Sequence, residues 1–285
     1  MKKKFIILIL LFTTGLTYGQ FYKYKAAGSL GKALNVNCCW AGQYRIFGDV
    51  GILFNKISYE KTPGNYTDYM RIASTYALTV KLYKEFQIRT TFMADHHHDS
   101  LQPKWLSNVY YAIGWYNWRN KTFSIGYENY QPNRFDGSYN FMENMKRGFF
   151  FVSYNYYLIP EQSRLKLDKT TQIYLVPFLR YQPEYTDRYG LKVMGYNKFV
   201  LGTAARYVIW KNIYVEGAVY FYPGKQTVLP WDPDYTYGFG IFDWRNFSIN
   251  LGYGNWIANR FPWNEKQMKN DFTNGEFHIN FHFIW

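Results

Sequence analysis

The chain has 285 residues, a formal net charge of +13 and an aromatic content of 22%, and its only cysteines are Cys38 and Cys39. Two adjacent cysteines exclude a disulfide framework and a cysteine-based zinc motif. Beyond the N-terminal segment no apolar run reaches the length of a transmembrane helix, which excludes a helical membrane protein. So high an aromatic content is also unusual for a soluble domain.

Residues 1–19 are predicted to be a secretory signal peptide. Lys2, Lys3 and Lys4 precede an unbroken apolar run at 5–12, and small, turn-prone residues follow, with a cut expected after Gly19. The apolar run is too short to cross a membrane as a helix. We therefore expect an exported protein whose mature form, without the three lysines, has a formal charge of +10.

Residues 20–47 show no clear period, and three interpretations stay open: a periplasmic lead-in, a plug inside a barrel, or an extra strand. From residue 48 onwards, apolar and polar residues alternate in short segments, which is the period of a half-buried strand. Twelve strands are predicted, at 48–59, 70–81, 86–94, 107–117, 120–130, 148–158, 171–182, 196–208, 212–222, 234–243, 246–256 and 275–285.

The predicted connections between these strands alternate in length, apart from the join between the two halves at 159–170. Four of them, at 84–85, 118–119, 210–211 and 244–245, are only about two residues long. Six are long and polar, at 60–69, 95–106, 131–147, 183–195, 223–233 and 257–274. Short periplasmic turns opposite longer external loops are typical of barrels in the outer membrane, so both termini are expected in the periplasm.

The two halves of the chain are similar to each other. A shift of 126 residues aligns Trp105–Phe135 with Trp231–Phe261 without a gap, and twelve of the 31 aligned pairs are identical. This is far more than unrelated segments would share, and it predicts an internal duplication of a six-stranded unit. Repeat one would span 48–158 and repeat two 171–285.

The last predicted strand has the clearest pattern. Aromatic and aliphatic residues from Phe277 to Phe283 occupy one face, His278 and His282 occupy the other, and the strand ends on Trp285. A terminal strand of this kind resembles those of outer-membrane β-barrel proteins of Gram-negative bacteria. The resemblance implies an all-β fold over 48–285: a transmembrane antiparallel up-and-down β-barrel of about twelve strands, surrounded by outer-membrane lipid and lipopolysaccharide.

A repeated corner, Gly-Tyr-x-Asn-x-x-x-Asn-Arg-Phe, supplies the candidate ligand-binding residues. Its arginines could make paired hydrogen bonds to phosphate or carboxylate, and its asparagines could add amide hydrogen bonds. The ligand would be lipopolysaccharide phosphate, a small anionic solute or a glycan. Alternatively, the asparagines cap the loop backbone and the arginines pair with carboxylates of the barrel wall. The residues are Asn129, Asn133 and Arg134 in the first copy and Asn255, Asn259 and Arg260 in the second.

Three other patterns are weaker. The two Trp-Arg-Asn turns, at 118–120 and 244–246, suit an interfacial belt. The string Asp-His-His-His-Asp at 95–99 could hold a metal ion, but a solvated loop is favoured and no metal site is predicted. Serines at 124, 153 and 248 have no spacing that joins them to a histidine, so neither an enzyme nor a cofactor is predicted.

These observations predict a narrow channel or a solute-binding, porin-like barrel with a cationic outer rim. Its interior would be filled mostly by side chains such as Tyr110, Tyr116, Tyr157 and Phe242. The alternative is a non-conducting accessory barrel that docks other envelope proteins through loops 131–147 and 257–274. An outer-membrane lipid-modifying enzyme is less favoured. Nucleic-acid binding is not expected, because export and a barrel account for both the charge and the aromatic residues.

Overall fold

A computed structural model describes residues 45–62, 65–96, 107–117, 119–132, 141–158, 172–186, 193–210, 212–224, 227–229, 232–243, 245–257 and 272–284. The predicted signal peptide and both cysteines lie outside these ranges. The strands are β1 (Arg45–Thr62), β2 (Asn65–Tyr83), β3 (Phe86–Asp95), β4 (Ser107–Trp115), β5 (Thr122–Pro132), β6 (Phe149–Tyr157), β7 (Gln172–Thr186), β8 (Val193–Trp210), β9 (Ile213–Phe221), β10 (Tyr235–Ile241), β11 (Ser248–Ile257) and β12 (Glu276–Ile284). A short helix, α1 (Phe141–Lys146), precedes β6, and a 3-10 turn (Phe272–Asn274) precedes β12.

The twelve strands form one closed antiparallel barrel in which each strand pairs with its neighbours in the chain. The first and last strands close the ring, with Val50 opposite Phe281 and Ile52 opposite Ile279. This confirms the predicted all-β, up-and-down barrel. We call the end that carries the turns after β2, β4, β8 and β10 the short-turn rim, and the opposite end the long-loop rim.

Two of the predicted long loops are wrong in length. Instead of a loop at 60–69, β1 and β2 continue until only residues 63 and 64 separate them, with Tyr59 still opposite Thr67. The predicted loop at 183–195 likewise shrinks to 187–192. Both pairs of strands exceed the 9–11 residues or so that cross a bilayer, so they project beyond it. There polar residues are compatible with strand structure, because both faces meet water.

The strands recur along the chain with the spacing seen in the sequence. When the bounds of β1 to β6 are shifted by 126 residues, they match those of β7 to β12 to within two residues. The longest pair in each half is the first one, β1–β2 and β7–β8. The duplication stays a prediction, and these bounds agree with it.

The exterior of the barrel is apolar all the way round. Every strand places at least one large apolar side chain at the surface, with Val50, Ile88, Leu201 and Ile249 as examples. These residues alternate with inward-facing ones, as the pleat of a strand requires. Aromatic side chains gather near the short-turn rim: Tyr83, Trp115, Phe123, Tyr156, Tyr207 and Phe247. An apolar band bounded by aromatic residues is what lipid contact demands, so the fold is that of an outer-membrane β-barrel.

In the ranges given above, no helix combines the length and the hydropathy that spanning a bilayer requires.

Contact with lipid can be tested on the closing strand. Ile279 is 40% exposed and lies near the middle of β12. We expect Ile279→Arg to lower the free energy of unfolding in phospholipid vesicles by about 2–4 kcal/mol, because it places a charge in hydrocarbon. Urea titration followed by tryptophan fluorescence measures the change. Ile279→Leu is the matched control, and equal stability of the two variants would contradict a lipid-facing position.

Candidate functional site

One side of the barrel interior is filled by side chains. Ala112, Tyr116 and Phe151 form a buried cluster, and Tyr110 packs against it. The guanidinium of Arg89 lies 4.0 Å from the centre of the Tyr116 ring, a cation–π distance. The predicted filling of the interior by Tyr110 and Tyr116 is therefore confirmed here, between β3 and β6.

The opposite side contains a cavity of about 560 Å³ between β6 and β12. This is the volume of a typical small-molecule site. Its lining combines tyrosines, small residues and four side chains that can carry charge. The four are Arg206, Glu216, Glu276 and His278.

The strand register explains why the cavity is open at this place. Five residues of neighbouring strands lie directly opposite one another and form what we call the charged row: Arg206, Glu216, Gly238, Gly254 and Glu276. The two carboxylates are separated by two glycines, which put no side chain into the lumen. A Cβ atom added to Gly254 would meet nothing within 4 Å. A Cβ atom on Gly238 would lie 3.4 Å from the side chain of Glu216, so the row is open at Gly254, which lines the cavity.

The charged row begins with a strong ion pair. The Nε and Nη2 atoms of Arg206 donate hydrogen bonds of 2.8 and 2.6 Å to the same carboxylate oxygen of Glu216. The guanidinium also lies 4.7 Å from the centre of the Tyr214 ring. Both charged side chains are still more than one-third exposed inside the barrel, so the pair faces the open space of the cavity.

Further tyrosines continue this wall. Tyr157 and Tyr174 meet edge to face with their ring centres 4.6 Å apart, and both line the cavity together with Tyr214 and Tyr220. Tyr174 and Tyr214 are nearly buried. Tyr157 and Tyr220 are only half-buried, so their rings present more surface to the cavity than those two do.

The histidines of β12 face inward, as predicted. His278 lines the cavity, and its ring lies where the Cβ atom of Gly252 would otherwise stand. His282 lies nearer the short-turn rim, where its Nδ1 atom is 2.8 Å from Oδ1 of Asp49 on β1. This contact joins the two strands that close the ring.

The segment between β9 and β10 is fastened to the barrel near the long-loop rim. The ammonium group of Lys198 donates a 2.5 Å hydrogen bond to Asp232, and Asp232 accepts another from the backbone of Leu229. Tyr222 donates to the carbonyl of Pro233 and its ring faces the Lys198 ammonium. Burial, with the nearby carboxylate of Asp232 second, raises the pKa of the Tyr222 hydroxyl. These contacts set the shape of the rim above the cavity.

Of the six predicted ligand-binding residues, the structure describes Asn129 and Asn255. Asn129 is 1% exposed and lies on the same face of β5 as Phe123 and Ile125, the exterior face. Its amide donates to the hydroxyls of Tyr111 and Tyr127, at 3.1 and 2.6 Å, and to the carbonyl of Asn144 in α1 at 2.9 Å.

Asn255 repeats this arrangement in the second half. Its amide donates to the hydroxyls of Tyr237 and Tyr253, at 3.2 and 3.3 Å. Tyr253 in turn donates to the carbonyl of Phe272 in the 3-10 turn. Capping of the loop backbone was one of the two interpretations of these asparagines, and Asn129 makes such a contact. The role in ligand binding stays a prediction, as do the positions of Asn133, Arg134, Asn259 and Arg260, which lie outside the described residues.

The Trp-Arg-Asn turns have the same backbone in both copies. The residue after each asparagine, Lys121 or Phe247, has a positive φ of 59° or 62°. The side-chain oxygen of Asn120 accepts a hydrogen bond from the backbone of β6, and that of Asn246 accepts one from β12. Each asparagine therefore joins its turn to the strand that follows the hairpin, β6 in the first copy and β12 in the second. Trp118 and Trp244 lie outside the described residues.

One turn also carries an ion pair at the surface. Burial alone would raise the pKa of Asp243, but hydrogen bonds from the side chain and backbone of Arg245 outweigh it and lower that pKa. The counterpart of Asp243 in the first copy is Asn117, which accepts the equivalent bond from the backbone of Arg119.

The Asp-His string at the end of β3 is only partly described. Asp95 accepts a 2.5 Å hydrogen bond from Arg71 inside the barrel, and the Nε2 atom of His96 is 2.8 Å from the Ser74 hydroxyl. Residues 97–99 lie outside the described ranges. Within those ranges, no three histidine, cysteine or carboxylate side chains come together as a metal site would require.

Comparisons with known proteins find structural likeness only. No family model and no curated protein matches the sequence. Among solved structures, an outer-membrane channel from Pseudomonas putida F1 is 11% identical with a TM-score of 0.38, over 85% of this chain and 96% of that one. OmpF of Salmonella typhi is 9% identical with a TM-score of 0.38, over 86% and 98%. A Rhodopseudomonas blastica porin is 8% identical with a TM-score of 0.26, over 85% and 99%. At such values the likeness adds no weight, and the assignment rests on the closed ring and its apolar exterior.

Sequence reasoning missed the residues that shape the cavity. The signal was present in the glycines at 238, 240, 252 and 254, which fall on the lumen face of two successive strands. A face that lacks side chains on neighbouring strands leaves room in a lumen that would otherwise be filled.

The contacts of Asn129 can be measured by a double-mutant cycle with Tyr111→Phe. We expect Asn129→Ala to destabilise the barrel by about 1–3 kcal/mol, because it leaves buried polar groups without a partner. The coupling to Tyr111→Phe should be about 0.5–1.5 kcal/mol in urea unfolding. Asn255→Ala with Tyr237→Phe is the matched cycle in the second half. Additive effects in both cycles would contradict the observed hydrogen bonds.

Proposed function

We propose that this protein is a narrow, solute-binding channel of the Gram-negative outer membrane. The observation that carries the proposal is the lumen cavity of about 560 Å³, which is lined by carboxylates and tyrosines and in which Gly254 of the charged row leaves open space. A small solute would enter at one rim, pause in the cavity and leave at the other. The filled side of the barrel, around Tyr116 and Phe151, would keep the passage narrow.

The proposed orientation places both termini in the periplasm and the long-loop rim outside. The support is the difference in length between the two sets of connections, which holds for all of them except the two residues at 63–64 on the long-loop rim and the connection 158–171 on the short-turn rim. Short turns face the periplasm in barrels of this kind. In this orientation the aromatic residues of the short-turn rim would lie at the inner lipid interface. Outer-membrane lipid, with lipopolysaccharide in the outer leaflet, would surround the barrel.

We also propose that the outer rim is cationic. Several positive charges inside the lumen are already paired, Arg71 with Asp95, Arg206 with Glu216 and Lys198 with Asp232. The basic excess of the mature chain would then act mainly through loop residues such as Arg134 and Arg260. Such a rim would concentrate small anionic solutes or the phosphates of lipopolysaccharide near the entrance.

Conductance tests the cavity as the passage. In planar lipid bilayers we expect the wild-type protein to form channels, and Gly254→Trp to lower their single-channel conductance severalfold, because an indole would stand in the empty part of the charged row. Val219→Trp is the matched control, since Val219 is 52% exposed on the exterior of β9. A wild-type barrel that folds but stays silent would favour the non-conducting accessory barrel. Equal conductance of all three proteins would place the passage elsewhere.

Ion selectivity tests the rim. We expect the combined Arg134→Ala and Arg260→Ala variant to shift the reversal potential in a KCl gradient towards cations, most clearly at low salt, where charges are screened least. Arg119→Ala, at the short-turn rim, removes an exposed arginine and should leave the potential nearer to that of the wild type. Heat-modifiable electrophoretic mobility reports folding. Loss of the folded band in the double variant would instead favour a structural role for the two arginines.

A further inference from the structure

We propose that the lumen cavity binds a small organic cation, an ammonium compound, which Glu276 neutralises and tyrosine faces enclose. The inference deepens the proposed function, because it names the class of solute that the same cavity would take.

Two carboxylates line the cavity, and in the described part of the barrel Glu216 has an ion-pair partner while Glu276 has none. Arg206 and Glu216 neutralise each other through two hydrogen bonds of 2.8 and 2.6 Å. On the far side of Glu276, the nearest cation along the row is Arg71, which forms a 2.5 Å ion pair with Asp95 and acts on the Glu276 carboxylate only through space. Across the described part of the barrel, no cationic side chain comes within ion-pair distance of Glu276. A buried carboxylate in such a place either takes up a proton or is stabilised by a cation that binds beside it.

The space beside Glu276 is empty on the side that faces the cavity. Gly254 is its partner on β11, and a Cβ atom there would have no neighbour within 4 Å. Gly238 follows on β10. With a strand spacing of roughly 4.8 Å, the backbones of Glu216 and Glu276 are about 14 Å apart along the wall. The Glu216 side chain reaches over Gly238, where a Cβ atom would lie 3.4 Å from its carboxylate oxygen, so the open space for a compact ligand is at Gly254, directly beside Glu276.

The aromatic lining already holds one cation in this way. The Arg206 guanidinium lies over the ring of Tyr214 and against the Glu216 carboxylate, so one tyrosine face and one carboxylate share a positive charge. Glu276 and the other tyrosines of the lining supply the same two chemical groups to the cavity. Aromatic faces and a carboxylate together are how proteins recognise ammonium groups.

Other ligand classes fit this lining less well. A metal ion would need several ligands, and the described residues contain no cluster of three. A small anion would meet the Glu276 carboxylate, while the one arginine of the lining is held by Glu216. The anion preference proposed for the outer rim therefore applies to the rim loops, and the cavity has the opposite preference.

The test compares two ligands of the same shape. Choline and its neutral isostere 3,3-dimethylbutan-1-ol are titrated into the purified full-length barrel in detergent and followed by isothermal calorimetry. We expect choline to bind the wild-type protein at least about tenfold more tightly than the alcohol. Glu276→Gln should abolish this difference, and Gly254→Trp should abolish binding of both ligands. Asp68→Asn, which removes an exposed carboxylate outside the cavity, should bind choline like the wild type.

Each other result overturns the inference. Equal affinity of the wild type for choline and the alcohol would show an apolar site only, and unchanged selectivity in Glu276→Gln would exclude Glu276 as the counter-ion. No binding of choline by a folded wild-type barrel would exclude the site. Conductance is measured separately. A silent barrel that binds choline would refute the channel alone, and a conducting barrel that does not bind it would refute the cation site alone.

Discussion

The structure depends on the closure of one ladder of backbone hydrogen bonds. In hydrocarbon an unpaired N–H or C=O group costs several kcal/mol, so a sheet can cross a membrane only if it has no edge. The pairing of β1 with β12 removes the edge, and the register from Phe47–Ile284 to Asn55–Glu276 covers the full length of the last strand. Once the ring is closed, each strand must turn an apolar face outward and can turn a polar face inward.

Closure also explains why charged residues are abundant inside. A lumen sealed from lipid but open to water can hold ionised side chains if they are paired, and Arg71 with Asp95 and Arg206 with Glu216 are examples. Pairing alone would fill the interior. Gly254 of the charged row prevents this on one side and leaves a cavity beside Glu276. The position of one residue without a side chain thus decides where this part of the lumen stays open.

Much of this fold was predictable because period-two alternation is a strong signal in strands with one apolar face. The twelve strands, their order and the inward-facing histidines of β12 all followed from that period. The lengths of β1, β2, β7 and β8 could not be predicted from that period. Beyond the membrane both faces of a strand contact water, so the alternation disappears. The Pro-Gly pair at 63–64 was a turn signal in the sequence, but without alternation on either side of it the prediction placed a longer loop there.

The candidate site was less predictable for a different reason. Repetition drew attention to Asn129 and Asn255, and the structure shows that both bond to tyrosine hydroxyls on the exterior of the wall. The cavity depends on register between strands far apart in sequence, such as Arg206 with Glu216 and Gly254 with Glu276. The register depends on how the strands pair in three dimensions. The sequence alone therefore shows which residue types are present but does not show which residues lie opposite each other on neighbouring strands.

The two long hairpins have a mechanical consequence. On β1 the pairing with β12 ends at Asn55, and on β2 the pairing with β3 ends at Ala73, so the distal part of this hairpin is a ribbon of two strands only. β7 and β8 form its counterpart on the opposite side of the ring. A two-stranded ribbon is bonded along one edge and is far more pliable than a closed ring. The mouth of the barrel therefore has a flexible hairpin on each of two opposite sides, above a stiff closed barrel. A force applied to either hairpin would bend that hairpin before it deformed the lumen.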